Sequence, residues 1–323
     1  MATSPIVAPT EQRAPAVAPV GLLRLDPILL LGVLGLAVCS IAAISETRFS
    51  ELAMRQGVFF GLGLVAALVL SQIDYSRLRE LKWALYGLML CGILAVLTLG
   101  GDTRGSRRAL QLGFAELQAS EFGKVLLCLV LAAFLVDRAR VLRDRQTTAR
   151  AMLVALVPTA MVLASDLGSG LVYVVVALAA LFVAGTSWKH FAALFGLFAV
   201  AIALALVVLP KAGVEVLHEY QIERLTSFLH PSDDPADAGY QQNQSVIAIG
   251  SGERTGRGAD ATQTTLKFLP EEHTDFVFAV VGERWGFVGA ALVLSLYALL
   301  VWRALRILTM AKNLYGALIA AGV

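Results

Sequence analysis

Eight apolar runs of about 15–20 residues, each the length needed to cross the hydrocarbon core of a bilayer, dictate what this chain can fold into. They lie at Pro27–Ile44, Gln56–Leu70, Trp83–Leu99, Phe122–Val136, Met152–Ala164, Leu167–Ala184, Phe191–Leu209 and Phe276–Val301, and a ninth begins near Leu314 and reaches Val323. Lipid offers the backbone no hydrogen-bond partner, so each run must bond internally as a helix, and the chain reads as an all-α polytopic bundle. With 58% hydrophobic and only 15% charged residues, a soluble globular domain, in which roughly a quarter of residues are charged, is excluded. Residues 26–323 read as a single membrane domain with no separate soluble unit. Residues 1–25, with Pro5, Pro9, Pro15 and Pro19, read as a disordered tail. The first apolar run ends in Ser45-Glu46-Thr47-Arg48 without a small-x-small site, so it is expected to be a span and not a signal peptide.

Basic residues in the connections set the orientation, because they stay on the cytoplasmic side. Arg77, Arg79 and Lys82, then Arg138, Arg140, Arg143, Arg145 and Arg150, then Lys189, then Arg303, Arg306 and Lys312 fall in alternate connections. Those are expected to be cytoplasmic, together with the N-terminus. Connections 45–55, 100–121 and 210–275 and the turn at Asp166 then face outward. Arg104, Arg107 and Arg108 break the rule in an outer loop, which points to an anionic ligand there, the alternative being a positive loop that touches lipid phosphates.

A net charge of +2, spread over membrane-flanking loops, gives no nucleic-acid partner. Cys39, Cys91 and Cys128 lie inside apolar runs and imply neither a disulfide framework nor a metal cluster. His190, His218, His230 and His273 share no ligand spacing. The glycine-rich stretch Gly250–Gly258 follows no strand and precedes no Gly-Lys-Ser/Thr, so it fails the context of a phosphate-binding loop. Its glycines are expected to shape a compact surface loop with positive φ. The pairs Gly57/Gly61 and Gly282/Gly286 have the spacing that lets helices approach closely.

Three places carry candidate chemistry. Asp275 stands in Pro270-Glu-Glu-His-Thr-Asp-Phe276, where a polar loop of some sixty residues meets the eighth span. A carboxylate partly desolvated at that boundary suits a general base, and a helix N-cap is the equally simple structural alternative. Asp166, in a turn between apolar stretches, is an ionisable group at a costly depth, or else a cap. Glu121 and Lys124, three apart, share one face of the fourth helix, where a buried pair would line a polar cavity or serve as a structural ion pair.

The segment from Ile222 to Glu283 has an ordered set of elements: Arg224, Phe228-Leu-His-Pro231, Asp234-Pro235, Gly239-Tyr-Gln241, Gln244-Ser245, Ala248-Ile-Gly-Ser-Gly252 and Leu269-Pro-Glu-Glu-His-Thr-Asp-Phe276. In this it resembles the large extracytoplasmic loop of the SEDS family, the RodA/FtsW/SpoVE group of cell-wall polymerases. Gly105, Arg108, Gln118, Ser120, Glu121 and Lys124 fit the family's third–fourth loop, with Ala109 where Trp and Ala119 where Pro is usual. Ser165-Asp-Leu-Gly168 fits its Pro-Asp-Leu-Gly turn apart from Ser165. The resemblance runs from about Leu22 to the end of the chain. Family members usually have ten spans, so the chain is expected to lack the last part of the family's C-terminus.

The resemblance implies a peptidoglycan glycosyltransferase of a bacterial cell membrane that polymerises lipid II in elongation or division, the elongation branch being the better match. It makes Asp275 the catalytic base, and Arg104, Arg108, Glu121, Lys124, Asp166, Arg224, Tyr240, Gln241, Gln244 and Ser245 substrate-binding residues. It further implies a class B penicillin-binding protein as partner and admits a divalent cation, Mg or Mn. The competing functions are a flippase for lipid-linked precursors and a non-catalytic scaffold of the wall-synthesis complex.

Overall fold

The computed structural model describes residues 25–47, 49–103, 106–107, 109–111, 116–204, 238–266, 268–269 and 271–323. Seven helices run in sequence: α1 Pro27–Ser45, α2 Glu51–Ser71, α3 Lys82–Leu99, α4 Ala119–Val136, α5 Arg145–Leu163, α6 Leu167–Val183 and α7 Trp188–Ala203. After them come α8 Ala238–Ser251, the short α9 Thr262–Thr265, the long α10 Val277–Thr309 and α11 Leu314–Gly322. Among the described residues six helices are long and apolar enough to cross a membrane, and α6 and α7 are shorter apolar helices. Six of the eight expected spans are thus α1 to α5 and α10; the sixth and seventh runs correspond to the shorter α6 and α7, with 205–209 of the seventh outside the described residues, and α11 lies at the expected start of the ninth. The expected tail, 1–25, lies almost wholly outside the described residues.

The helices extend beyond their apolar runs where the flanking polar residues can still complete backbone bonds. α5 starts at Arg145 instead of Met152, and α10 continues past Val301 through Arg303 and Arg306. Asp26 starts α1 as an N-cap, accepting from Ile28 N and Leu29 N at 3.1 Å each, with Pro27 in the first turn. Among its described residues, the part of the 100–121 connection that precedes α4 is not helical. It contains two antiparallel ladders, Asp102–Thr103 with Ser106–Arg107 and Leu110–Gln111 with Glu116–Leu117, because a connection that is neither helix nor fully hydrated pairs its own backbone groups.

α4 is the centre of the bundle. Leu127, Leu131, Ala132, Ala133 and Leu135 on it are at most 1% exposed, and they pack with Met89 and Ile93 of α3, Val162 of α5, Tyr173 and Leu181 of α6, and Leu318 of α11. A second, smaller core joins α1 to α10 through Ala43, Val281 and Val293, backed by Leu36, Cys39 and Trp285. α2 keeps only Ala53 buried, while Leu62, Val65 and Val69 stand exposed, the pattern of a helix that turns its side chains to lipid.

The end of the bundle that holds the basic connections is tied by ion pairs. Arg303 Nε donates to Asp26 Oδ2 at 2.7 Å, and this hydrogen bond holds the Asp26 carboxyl below its ordinary value. Asp137 pairs with Arg79 at 2.7 Å and with Lys82. Burial pulls the Asp137 carboxyl up, but the bonds from Lys82 and Arg79 outweigh it and the net shift is downward. At the opposite end Glu46, closing α1, meets Arg284 of α10 at 3.6 Å.

Candidate functional site

Asp275 sits on the turn 271–276 that leads into α10. The helix N-cap is the next residue, Phe276, and makes no side-chain capping bond. Asp275 is therefore not the cap that the spacing allowed. It is also exposed, not partly desolvated as the boundary position suggested, because α10 begins one residue later and leaves the carboxylate on the loop side. The carboxylate has no hydrogen bond or ion pair among the described residues. Its neighbours are held firmly: Glu272 is fully buried, and the ring of His273 lies against Phe49 with centroids 4.0 Å apart.

Beside this turn lies a groove of about 570 Å³. Ile44, Leu52 and Phe59, from the end of α1 and the start of α2, give it an apolar wall, and Arg55, His273 and Thr274 give it a polar one. Glu116, from the second ladder of the 100–121 connection, closes it. Sequence reasoning did not assemble this groove, because its walls are contributed by segments more than two hundred residues apart.

The turn is fixed from below by α10. That helix is broken at Gly286, whose φ of 64° and ψ of −158° are non-helical, in a region that is nearly glycine-only. The loop after α8 fills the break. Phe287 N donates to Glu253 O at 2.9 Å and Val288 N to Arg254 O at 3.2 Å, while Arg257 N donates to Glu283 O at 2.8 Å. The donors and acceptors freed by the break are thus satisfied by the loop. Gly256, with φ 83°, lies directly against the Arg284 carbonyl and Gly286, too close for any side chain. The expected positive-φ loop is found at 253–258, where Glu253, Gly256 and Gly258 take positive φ, whereas Gly250 belongs to α8. The close approach at Gly282/Gly286 is also met, but the partners are Ile249 of α8 for Gly282 and loop residues 254–256 for Gly286, not another span. Gly61 has nothing within 4 Å, and a Cβ at Gly57 would meet only the Ile41 side chain of α1, at an ordinary 3.8 Å, so Gly57/Gly61 is ordinary packing and not a close helix approach.

Glu283, three residues before the break, is completely buried. Its Oε1 accepts from Gln263 N at 2.7 Å, and its Oε2 from Thr264 N at 2.9 Å and Thr264 Oγ1 at 2.6 Å. A glutamate inside an apolar run is a signal the sequence carries; that its partners are the first residues of α9 is not.

The other candidates are dispersed. Asp166 caps α6: Oδ1 accepts from Gly168 N at 3.0 Å and Oδ2 from Ser169 Oγ at 2.6 Å, which is the structural alternative of the two weighed. Glu121 and Lys124 do pair, at 2.8 Å, but Glu121 is half exposed. The buried pair facing the bundle is not found, because position 121 falls in the first turn of α4 on its outer side. Tyr240, Gln241, Gln244 and Ser245 are half-buried along α8. Their spacing continues to Ala248, which packs with Leu269, Ala279 and Phe276, the residue after Asp275. Ser245 spends its hydroxyl on Gln242 O at 2.7 Å. Arg104, Arg108 and Arg224 lie outside the described residues. Among the described residues no three His, Cys, Asp or Glu side chains gather as metal ligands.

A polytopic membrane protein that sets an open carboxylate and a groove with one apolar and one polar wall at the end of its spans belongs to the class that works on molecules partly in lipid and partly in water. The comparisons narrow that class. Residues 22–323 match the FtsW/RodA/SpoVE family, described as cell cycle protein. The peptidoglycan glycosyltransferase MrdB of Escherichia coli strain K12 is 37% identical over 306 residues, 93% of this chain and 80% of MrdB. Stage V sporulation protein E of Bacillus subtilis strain 168 is 33% identical over 313 residues, 94% of this chain and 82% of the relative. Among solved structures, a chain of a peptidoglycan synthase complex that coordinates polymerization and crosslinking superimposes with a TM-score of 0.75 at 30% identity, covering 93% of this chain and 83% of that one. The rod shape determining protein RodA of Thermus thermophilus gives 0.63 at 27% identity, with 93% and 80% covered. The chain belongs to the FtsW/RodA/SpoVE family.

Proposed function

We infer that this protein is a peptidoglycan glycosyltransferase that polymerises lipid II, the undecaprenyl-pyrophosphate-linked disaccharide pentapeptide, during elongation or division. The observation that carries the reading is the unengaged Asp275 carboxylate beside a groove whose two walls suit the two halves of such a substrate. The apolar wall of Ile44, Leu52 and Phe59 suits the prenyl end, and Arg55 with His273 and Thr274 suits pyrophosphate and sugar. Asp275 takes the proton of the acceptor 4-hydroxyl as that oxygen bonds to the anomeric carbon of the donor. The bond from that carbon to the pyrophosphate breaks in the same step, and basic side chains stabilise the departing anion. Arg55, which lines the polar wall, suits this role.

The basic end of the bundle, with Arg79, Lys82, Arg138 and Arg303, then lies in the cytoplasm and the loop end outside. The N-terminus is cytoplasmic in this orientation. Similarity to a chain of a complex that coordinates polymerization with crosslinking supports a class B penicillin-binding protein as partner.

The test is gel analysis of glycan formed from labelled lipid II by the purified protein with its partner, beside Asp275→Ala. Polymer from the wild type and a loss of about 10²-fold or more in the variant is the expected result for removal of a general base. Full polymerisation by Asp275→Ala would refute the assignment of the base, and no polymer from either would favour the transport or scaffold functions.

A further inference from the structure

Resting on the reading of Asp275 and its groove as the reaction site, we propose that Glu283 is a positioning residue for transfer. From inside α10 its carboxylate clamps α9, so that the groove-forming segment ahead of Asp275 is carried on the membrane helix.

The geometry is unusually complete for a buried acid. Both oxygens are occupied, and all three donors come from two adjacent residues at the start of α9. The carboxylate acts only as an acceptor, which suits the unsatisfied amides of a helix start. Downstream, the segment is pinned a second time where Leu269, 0% exposed, packs with Ala248 and Ala279. Between these pins and α10 the chain has little freedom, and it is this stretch that presents His273 and Thr274 to the groove. α9 has four residues and no side-chain cap of its own, so without Glu283 nothing else among the described side chains holds its first amides. Loss of the clamp leaves Asp275 chemically intact but lets His273 and Thr274 beside it drift relative to Arg55 and the apolar wall on α1 and α2. A displacement on the order of 1 Å at a reacting centre is enough to cost up to about a hundredfold in rate.

The experiment compares Glu283→Gln, Thr264→Val and Thr264→Ser in the full-length protein with its partner, measuring kcat and KM for lipid II and hydrogen exchange at Gln263 and Thr264. Glutamine keeps the volume but replaces one acceptor with a donor facing Thr264; valine keeps the shape of threonine and deletes the hydroxyl; serine retains it. The clamp predicts a kcat lowered about tenfold or more in Glu283→Gln and Thr264→Val, faster exchange at both amides, and near wild-type kcat in Thr264→Ser. The double variant should be no worse than the more damaging single one. Wild-type kcat in Glu283→Gln, or losses that add in the double variant, would overturn the proposal. A dead Glu283→Gln beside a fully active Thr264→Val would overturn it too, since the acid would then act without α9. If Asp275→Ala itself retained activity, the reading of the site would fail first, which separates that failure from this one.

Discussion

Gly286 is the residue on which the break in α10 depends, and replacing it with alanine gives the sharpest test of the fold. Its φ of 64° and ψ of −158° lie where an L residue costs about 1–3 kcal/mol. A Cβ there would also press on the backbone nitrogens of Thr255 and Gly256 and on the Arg254 carbonyl carbon. These are backbone atoms of a loop hydrogen-bonded to the same helix, so they cannot swing aside as a side-chain tip would, and overpacking of this kind adds about 1–3 kcal/mol. The lower entropy of alanine in the unfolded chain returns about 0.4–1 kcal/mol. The net expectation is a destabilisation of about 2–4 kcal/mol, or a melting temperature lowered by roughly 4–10 °C for a chain of this size. Thermal unfolding of the detergent-purified protein, followed by tryptophan fluorescence with Trp285 adjacent to the break, reads this directly. Gly61→Ala is the internal control. It lies in α2 with nothing within 4 Å, so the substitution should be neutral or stabilising by about 0.5–1 kcal/mol. A Gly286→Ala variant that melts at or above the wild type would mean that α10 runs straight through this position, and the account of loop 253–257 as the filler of a broken helix would fall with it.

Other substitutions separate structural from chemical roles. Asp166→Ala should cost about 1 kcal/mol through loss of the α6 cap and reduce polymerisation no further than that loss of stability explains; abolished activity at an unchanged melting temperature would assign Asp166 to substrate instead. Lys124→Ala breaks a pair in which Glu121 is half exposed and should change stability by no more than about 1 kcal/mol, as read by thermal unfolding. Any large fall in lipid II polymerisation by Lys124→Ala would then report contact with substrate. The Asp137 carboxyl is held below its ordinary value of 3.8 because Lys82 and Arg79 outweigh the opposing effect of burial. A depressed folded value means that its contribution is fully present above pH 3.8 and lost as pH falls towards that depressed value. The gap in melting temperature between wild type and Asp137→Asn should therefore stay constant from neutral pH down to about pH 4 and close below it.

The spans were legible because lipid leaves the backbone one option, and the residues that stop being apolar mark where the option ends. The helix ends were less legible: Arg145 and Thr147 are helical before the apolar part of α5 begins, since polar side chains at an interface do not oppose a helix. Asp166 could be read two ways from its spacing, and the cap it forms depends on the position of Ser169 one turn later. The pairing of Glu121 with Lys124 followed from their separation, whereas its exposure depends on how α4 is rotated in the bundle, which no local pattern specifies. The break at Gly286 and the clamp at Glu283 were hidden for the same reason. Each is satisfied by atoms 19 to 34 residues away in a polar loop, and a sequence pattern reports the need for a partner without naming it.

That long-range dependence follows from what a reaction at a membrane surface demands. A polar loop in water has no hydrophobic core large enough to fix it, and a helix in lipid has no free backbone groups with which to hold anything. Breaking α10 at Gly286 exposes donors and acceptors at the depth where loop meets lipid, and residues 253–257 take them up. Burying Glu283 one turn nearer the loop adds two acceptor atoms for the first amides of α9. Both features would be defects in an isolated transmembrane helix, the first for its lost helical bonds and the second for its charge. Together they convert the outer third of α10 into a rigid seat for the loop, so the part of the groove carried by α1 and α2, its apolar wall and Arg55, and the part carried by the loop, His273 and Thr274, are referred to one frame through the packing of α1 on α10.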